Sequence, residues 1–149
     1  MVYSIRDIVS GLESLAPPAY QESYDNAQLI TGNPSDEVTG IICSLDVTEE
    51  VVQEAIEKNC NMIVAHHPIL FKGIKSLTGK NYVEKTLIKA IKNNIAILAI
   101  HTNLDQVDKG VNKKLCEKIG LRGCRILAPK PSILMKLVTF VPIDHADQV

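Results

Sequence analysis

The sequence predicts an α/β fold, a mostly parallel sheet flanked by helices, with the start of a second domain at its C-terminal end. Three observations predict it. Short apolar runs, GIICSL at 40–45, MIVA at 62–65 and IAILAI at 95–100, alternate with longer segments of helical periodicity. The runs are apolar throughout rather than alternating, as strands buried on both faces must be. Each run leads into polar, chemistry-bearing side chains: Asp46, then His66 and His67, then His101.

Taken in order, Ser4 caps a first helix whose apolar face is Ile5, Ile8, Val9, Leu12 and Leu15, and Pro17-Pro18 stops it. AYQESYDNAQLITGNPSDE, residues 19–37, is polar with scattered aromatics and reads mostly as loop. After the strand at 40–45, the Thr48 hydroxyl can accept from an otherwise unpaired backbone N–H of a second helix. Glu49 and Glu50 suit its first turn, and Val51, Val52, Ala55 and Ile56 form its buried side. The strand at 62–65 ends at His66-His67-Pro68, and a longer connection punctuated by Gly73 and Gly79 leads to a helix around 81–93, with Val83, Leu87, Ala90 and Ile91 at helical spacing. The strand at 95–100 ends at His101, and a helix near 108–119 follows, with Val111, Leu115 and Ile119 on one face and Gly120 as its stop.

APKPS at 128–132 reads as a linker, and ILMKLVTFVP after it as a strand that opens something new. The expected division is therefore 1–128 for the main domain and 129–149 for a linker and the first strand of a second domain. A short terminal strand added to the main sheet is the alternative.

Composition removes several function classes. The chain has 149 residues, enough for one core, and 46% of them are hydrophobic. Sixteen basic and seventeen acidic residues leave a formal charge of −1, so no global field draws the protein to nucleic acid or an anionic membrane. With no tryptophan and two phenylalanines there is little from which to build a base-stacking platform. Cys43, Cys60, Cys116 and Cys124 contain no C-x-x-C pair and read as buried free thiols rather than a zinc site. No run is long enough to span a membrane, and the N-terminus is a poor signal peptide. A reducing cytoplasm is the expected setting.

Ligands of open parallel sheets bind beyond the C-terminal ends of the strands. If the three strands are neighbours, Asp46, His66, His67, His101 and Asp105 converge on one edge, and three of the four histidines in the chain are among them. The histidines are open to two readings, metal ligands or polar residues that cap buried strands. Neighbouring residues of a strand point to opposite sides. His66 and His67 therefore reach one ion only if the backbone turns at once, for which Pro68 is suited, and otherwise reach two nearby ions. Asp105 could lie between two ions, because a carboxylate has two oxygens. His101, four residues before Asp105, could be a third ligand or could donate to a carboxylate or substrate. Asp46 could act in the same way, although Asp-x-Thr before a helix is more commonly capping chemistry. Imidazole and carboxylate suit zinc, iron, manganese, cobalt or nickel. A paired ion would make hydrolysis the natural reaction class. Nucleophile elbow, P-loop, dinucleotide fingerprint and H-E-x-x-H helix are all missing from the sequence.

Four segments, YDNAQLITG (24–32), GIICSLDVT (40–48), IVAHHPILF (63–71) and IHTNLDQ (100–106), resemble in order the N-terminal part of the NIF-three-like family, whose members are labelled GTP cyclohydrolase I type 2 homologues. The resemblance implies a two-metal α/β protein, with zinc, iron or manganese as the expected ions, assembled as a homohexameric ring with its sites facing an internal cavity. It implies that His66 and His67 each serve a different ion, that Asp105 is a ligand in the shared site, and that His101 lines it. Glu22, beside the first segment, and Asp25, within it, could line the pocket, although acidic loop residues more commonly face water. The family's C-terminal G-H-x-x-S-E motif has no counterpart here, since His145 sits in IDHADQV, and KLVTFVP (136–142) reads like the first strand of a domain inserted in some bacterial members. The chain is thus expected to stop inside that insertion. The functional expectation is a dinuclear metal-dependent hydrolase acting on a small nucleotide or another phosphorylated metabolite. The alternative is a metal-binding scaffold or regulatory interaction protein without catalysis.

Overall fold

In the computed structural model, residues 2–129 and 138–148 are described. Helix α1 spans Ile5–Leu15 and opens on a reciprocal cap: the Asp7 N–H donates to the Ser4 hydroxyl (3.3 Å) and the Ser4 N–H to the Asp7 carboxylate (2.8 Å). Strands β1 (Leu29–Thr31) and β2 (Ile41–Ser44) are followed by α2 (Glu49–Glu57), β3 (Met62–Ala65), α3 (Tyr82–Lys92), β4 (Ala96–Ala99), α4 (Thr102–Gln106) and α5 (Val111–Lys118). The expected cap of α2 is present, with the Val51 N–H donating to the Thr48 hydroxyl at 3.3 Å.

The sheet order is β1-β4-β3-β2. Strands β2, β3 and β4 run parallel, and their last residues, Ser44, Ala65 and Ala99, pair in register side by side. This alignment positions the site, because the chain leaves all three strands at the same level of one edge. On one face, Val52 and Ala55 of α2 and Leu87 and Ala90 of α3 pack on Ile63, Ala65 and Ile97. On the other, Ile5 of α1 packs on Met62, Ala96 and Leu98. β3 and β4 are covered from both sides, which is why their sequences are unbroken apolar runs. Asparagines end α2 and α3 in the left-handed region, Asn59 at φ 54° and Asn94 at φ 52°, and turn the chain into β3 and β4.

Three expectations need correction. The segment read mostly as loop contains β1, which pairs antiparallel with β4 (Leu29 opposite Leu98, Thr31 opposite Ile97). Gly32 permits it: φ is +113°, and a Cβ there would fall 2.5 Å from the Ala96 Cβ. The helix expected near 108–119 begins only at Val111, because the chain turns at Gly110, where a Cβ would meet the Leu104 carbonyl oxygen at 1.9 Å. The four thiols are free, as expected, but not buried: Cys43 and Cys124 are exposed, Cys60 and Cys116 half-buried. The expected strand at 133–142 lies largely outside the described residues. Its described part, 138–142, is irregular and leads into a 3-10 turn at Ile143–Gln148. Among the described residues no helix is long and apolar enough to cross a membrane.

Candidate metal centre

At the edge where β2, β3 and β4 end, the backbone of His66 and His67 departs from strand geometry. The His66 N–H donates to the Ser44 carbonyl (3.1 Å) and the next N–H, that of His67, to the Leu45 carbonyl (2.9 Å). Consecutive residues of a regular strand do not both donate to the same neighbour, so the chain turns there and the two rings escape the alternation of a strand. Their centroids lie 5.0 Å apart. The His101 ring, arriving from the end of β4, sits 5.3 Å from that of His66 and 5.6 Å from that of His67. One ring nitrogen from each histidine lies within 4.8 Å of the others, so the three could hold a metal ion.

Each ring is held the same way round. His66 Nδ1 is 3.1 Å from the Ile100 carbonyl oxygen, His67 Nδ1 is 2.8 Å from Asp46 Oδ1, and His101 Nδ1 is 2.9 Å from Asp25 Oδ1. A carbonyl and two carboxylates can only accept, so each Nδ1 must carry the proton and donate. The lone pair of every neutral ring is therefore on Nε2. That is the arrangement found when a histidine ligand is steadied by an outer partner.

The partners differ in their surroundings. The Asp46 side chain is 61% exposed and that of Asp25 is 0% exposed. Burial alone would raise the Asp25 carboxyl. Hydrogen bonds from the Thr102 hydroxyl, the His101 ring, the Thr102 N–H and the Asn26 N–H outweigh it and hold the group below the ordinary carboxylate value. Asp105 Oδ1 stands 3.6 Å from His66 Nε2, beyond a hydrogen bond but close enough to add a negative charge to the cluster.

The predicted site residues thus divide. Asp25, Asp46, His66, His67, His101 and Asp105 all come to this edge, with the three imidazoles at its centre. Asp46 holds His67 and leaves the capping of α2 to Thr48, against the expectation that favoured capping. Glu22 stands one layer further out: its N–H donates to the Thr102 hydroxyl (3.0 Å), which itself donates to Asp25, and its carboxylate accepts from the Gln106 amide. Sequence reasoning missed two neighbours. Phe71, 57% exposed, sets its ring edge-on to His101 at 6.0 Å. Thr102, 8% exposed, fastens Asp25. Both lie inside quoted segments, Phe71 at the end of IVAHHPILF and Thr102 in IHTNLDQ, but neither residue type pointed to the site.

The sequence profile of Duf34/NIF3 (NGG1p interacting factor 3) matches residues 3–147. A Staphylococcus epidermidis protein named GTP cyclohydrolase 1 type 2 homolog is 40% identical over 143 residues, which is 96% of this chain and 39% of the relative. The chain therefore spans well under half the length of that relative. The crystal structure of a Bacillus cereus protein related to NIF3 superposes with a TM-score of 0.83 at 39% identity, covering 87% of this chain and 36% of that one. A Staphylococcus aureus protein of known crystal structure gives 0.81 at 41% identity, over 86% of this chain and 41% of the other.

Proposed function

From the fact that the chain belongs to the DUF34/NIF3 family, we propose that it forms part of a dinuclear, divalent-metal-dependent hydrolase that acts on a small nucleotide or another phosphorylated metabolite. The observation that carries this reading is that all three imidazoles spend Nδ1 on an acceptor and keep Nε2 free at one edge. Three imidazoles beside a carboxylate fit ions of zinc, iron or manganese type. One nitrogen from each ring lies within 4.8 Å of the others, close enough for a metal ion to be held among them.

In this reading His66 and His67 would each serve a different ion, Asp105 would be a ligand in the shared site, and His101 would supply a third imidazole. A bound divalent ion supplies an activated water and a positive charge for the developing oxyanion. The chain's own residues do the positioning. Ile100, Asp46 and Asp25 hold the rings, and Phe71 offers an exposed aromatic edge beside His101 against which a flat ring could rest. The name of the Staphylococcus epidermidis relative is consistent with a nucleotide substrate. The intact protein is a homohexamer in this reading.

The test is metal analysis of the intact protein after reconstitution with zinc, iron or manganese, alongside a turnover screen with phosphorylated nucleotides. The expected result is two ions per chain, with His66→Ala and His67→Ala each losing mainly one and Asp105→Ala weakening both. Circular dichroism confirms that each variant is folded. Two ions without turnover of any candidate would make the protein a metal-binding scaffold. A folded wild type that binds no divalent ion would overturn the reading altogether.

A further inference from the structure

We propose that Asp25 is a positioning residue that fixes His101 as the Nδ1–H tautomer, so that Nε2 is the ring nitrogen left free for the cluster. Among the described residues, the hydrogen-bonding partners of this carboxylate other than His101 are all donors. Oδ1 accepts from the Asn26 N–H (2.7 Å) as well as from His101, and Oδ2 accepts from the Thr102 N–H (3.1 Å) and the Thr102 hydroxyl. The same hydroxyl accepts from the Glu22 N–H at 3.0 Å. With its side chain fully buried and the Asn26 and Thr102 donors aimed at its two oxygens, Asp25 presents an acceptor to His101. His101 Nδ1 must therefore donate.

The same short segment grips the other motif. The Asn26 amide donates to the Leu70 carbonyl at 2.8 Å, four residues along the chain from His66. Asp25 and Asn26 thus tie the H-H-P connection and the H-T-N-L-D turn to one fixed piece of backbone. Asp46 does a similar task for His67 from a largely exposed position, where water can replace it. No water replaces Asp25 without opening the packed segment around it.

This deepens the metal reading and rests on it only for the affinity arm of the test. The tautomer of His101 is read on the metal-free intact protein at alkaline pH from ring nitrogen-15 resonances of selectively labelled histidine. A His101→Gln sample assigns the signal. Wild type should show His101 protonated at Nδ1. Asp25→Ala removes the acceptor, and the ring should revert to the Nε2–H form that free histidine prefers, with divalent-metal affinity falling about 10–100-fold. Thr102→Val removes one of the donors to Asp25 but leaves its bond to the ring, so it should lower thermal stability and leave the tautomer unchanged. A merely structural Asp25 would make the two variants behave alike at the ring. Wild-type His101 protonated at Nε2, or an unchanged Nδ1–H ring in Asp25→Ala, overturns the proposal. If Asp25→Ala does not fold, the wild-type resonance decides alone. A wild type that shows the expected tautomer but binds no metal overturns the metal reading and leaves the positioning role standing.

Discussion

The long connection between β3 and α3 has a polar cluster at each end, and the two are built on opposite terms. At the far end Glu84, 4% exposed, has both carboxylate oxygens spent. Oε2 accepts from the Thr78 N–H (2.9 Å), the Thr78 hydroxyl (3.1 Å) and the Lys80 N–H (3.2 Å), while Oε1 accepts from the Asn81 amide (3.0 Å). At the near end His66, His67 and their neighbour His101 have each spent one nitrogen and kept the other. Both clusters are polar, and both are formed by residues distant from one another in the chain or held by its turns. Unspent hydrogen-bonding capacity is what tells them apart. A closed cluster fastens a loop to a helix, whereas three free lone pairs at one edge can bind something the chain itself does not supply.

The sharpest way to break this contrast is to remove the open end. His66→Ala combined with His67→Ala should cost more metal affinity than the roughly 100-fold expected for loss of an outer partner. It should leave the far-ultraviolet circular dichroism unchanged, because the rings lie beyond the last core residue of β3. Next in size is Asp46→Ala. Its side chain is 61% exposed, so water can take over the His67 Nδ1–H, and a loss of about 10-fold in a competition titration is expected. Loss of 100-fold or more there would mean that the exposed and buried carboxylates are equivalent, which the account denies.

Glu84→Gln probes the closed end and should not change metal affinity. It should lower the melting temperature by several degrees, since an amide has one acceptor oxygen where four donors converge. The acid response follows from the same bonds. The Thr78 N–H, chief among the donors, holds the Glu84 carboxyl below its ordinary value of 4.5 against the opposing effect of burial. A carboxyl lowered in the folded state stabilises the fold above its unfolded value and ceases to do so as pH falls through its folded one. The gap in melting temperature between wild type and Glu84→Gln should therefore be full above about pH 5 and shrink as pH falls below 4.5. A gap that widens in acid would contradict the assignment.

Much of the open end was legible in the sequence because it follows from topology. Three apolar runs that each lead into an acid or a histidine place those residues on one edge once the strands are parallel neighbours, and β2, β3 and β4 are. Legibility ended where long-range pairing decided. Nothing local distinguished Leu29–Thr31 from loop, because β1 exists only by virtue of β4 beside it and a glycine that lets the chains approach. The role of Asp25 was hidden for the same reason, since its bond to His101 spans 76 residues. Asp46 misled differently: a local capping pattern was real, but Thr48 alone fulfils it. The Glu84 cluster left a sign that went unread, the N-x-x-E spacing of Asn81 and Glu84 at the start of α3, where the Glu84 N–H donates to the Asn81 side chain at 2.9 Å.

The most direct test of the contrast is the melting temperature of three folded, metal-stripped proteins before and after addition of zinc, iron or manganese: wild type, the His66→Ala/His67→Ala double variant, and Glu84→Gln. An ion that binds only the folded state adds about 2.7 kcal/mol when present at about 100 times its Kd. Wild type and Glu84→Gln should therefore rise by similar amounts from different starting points, and the double variant should not rise at the same metal concentration. A double variant that gains as much as wild type, or a wild type that gains nothing with any of the three metals, would contradict the account.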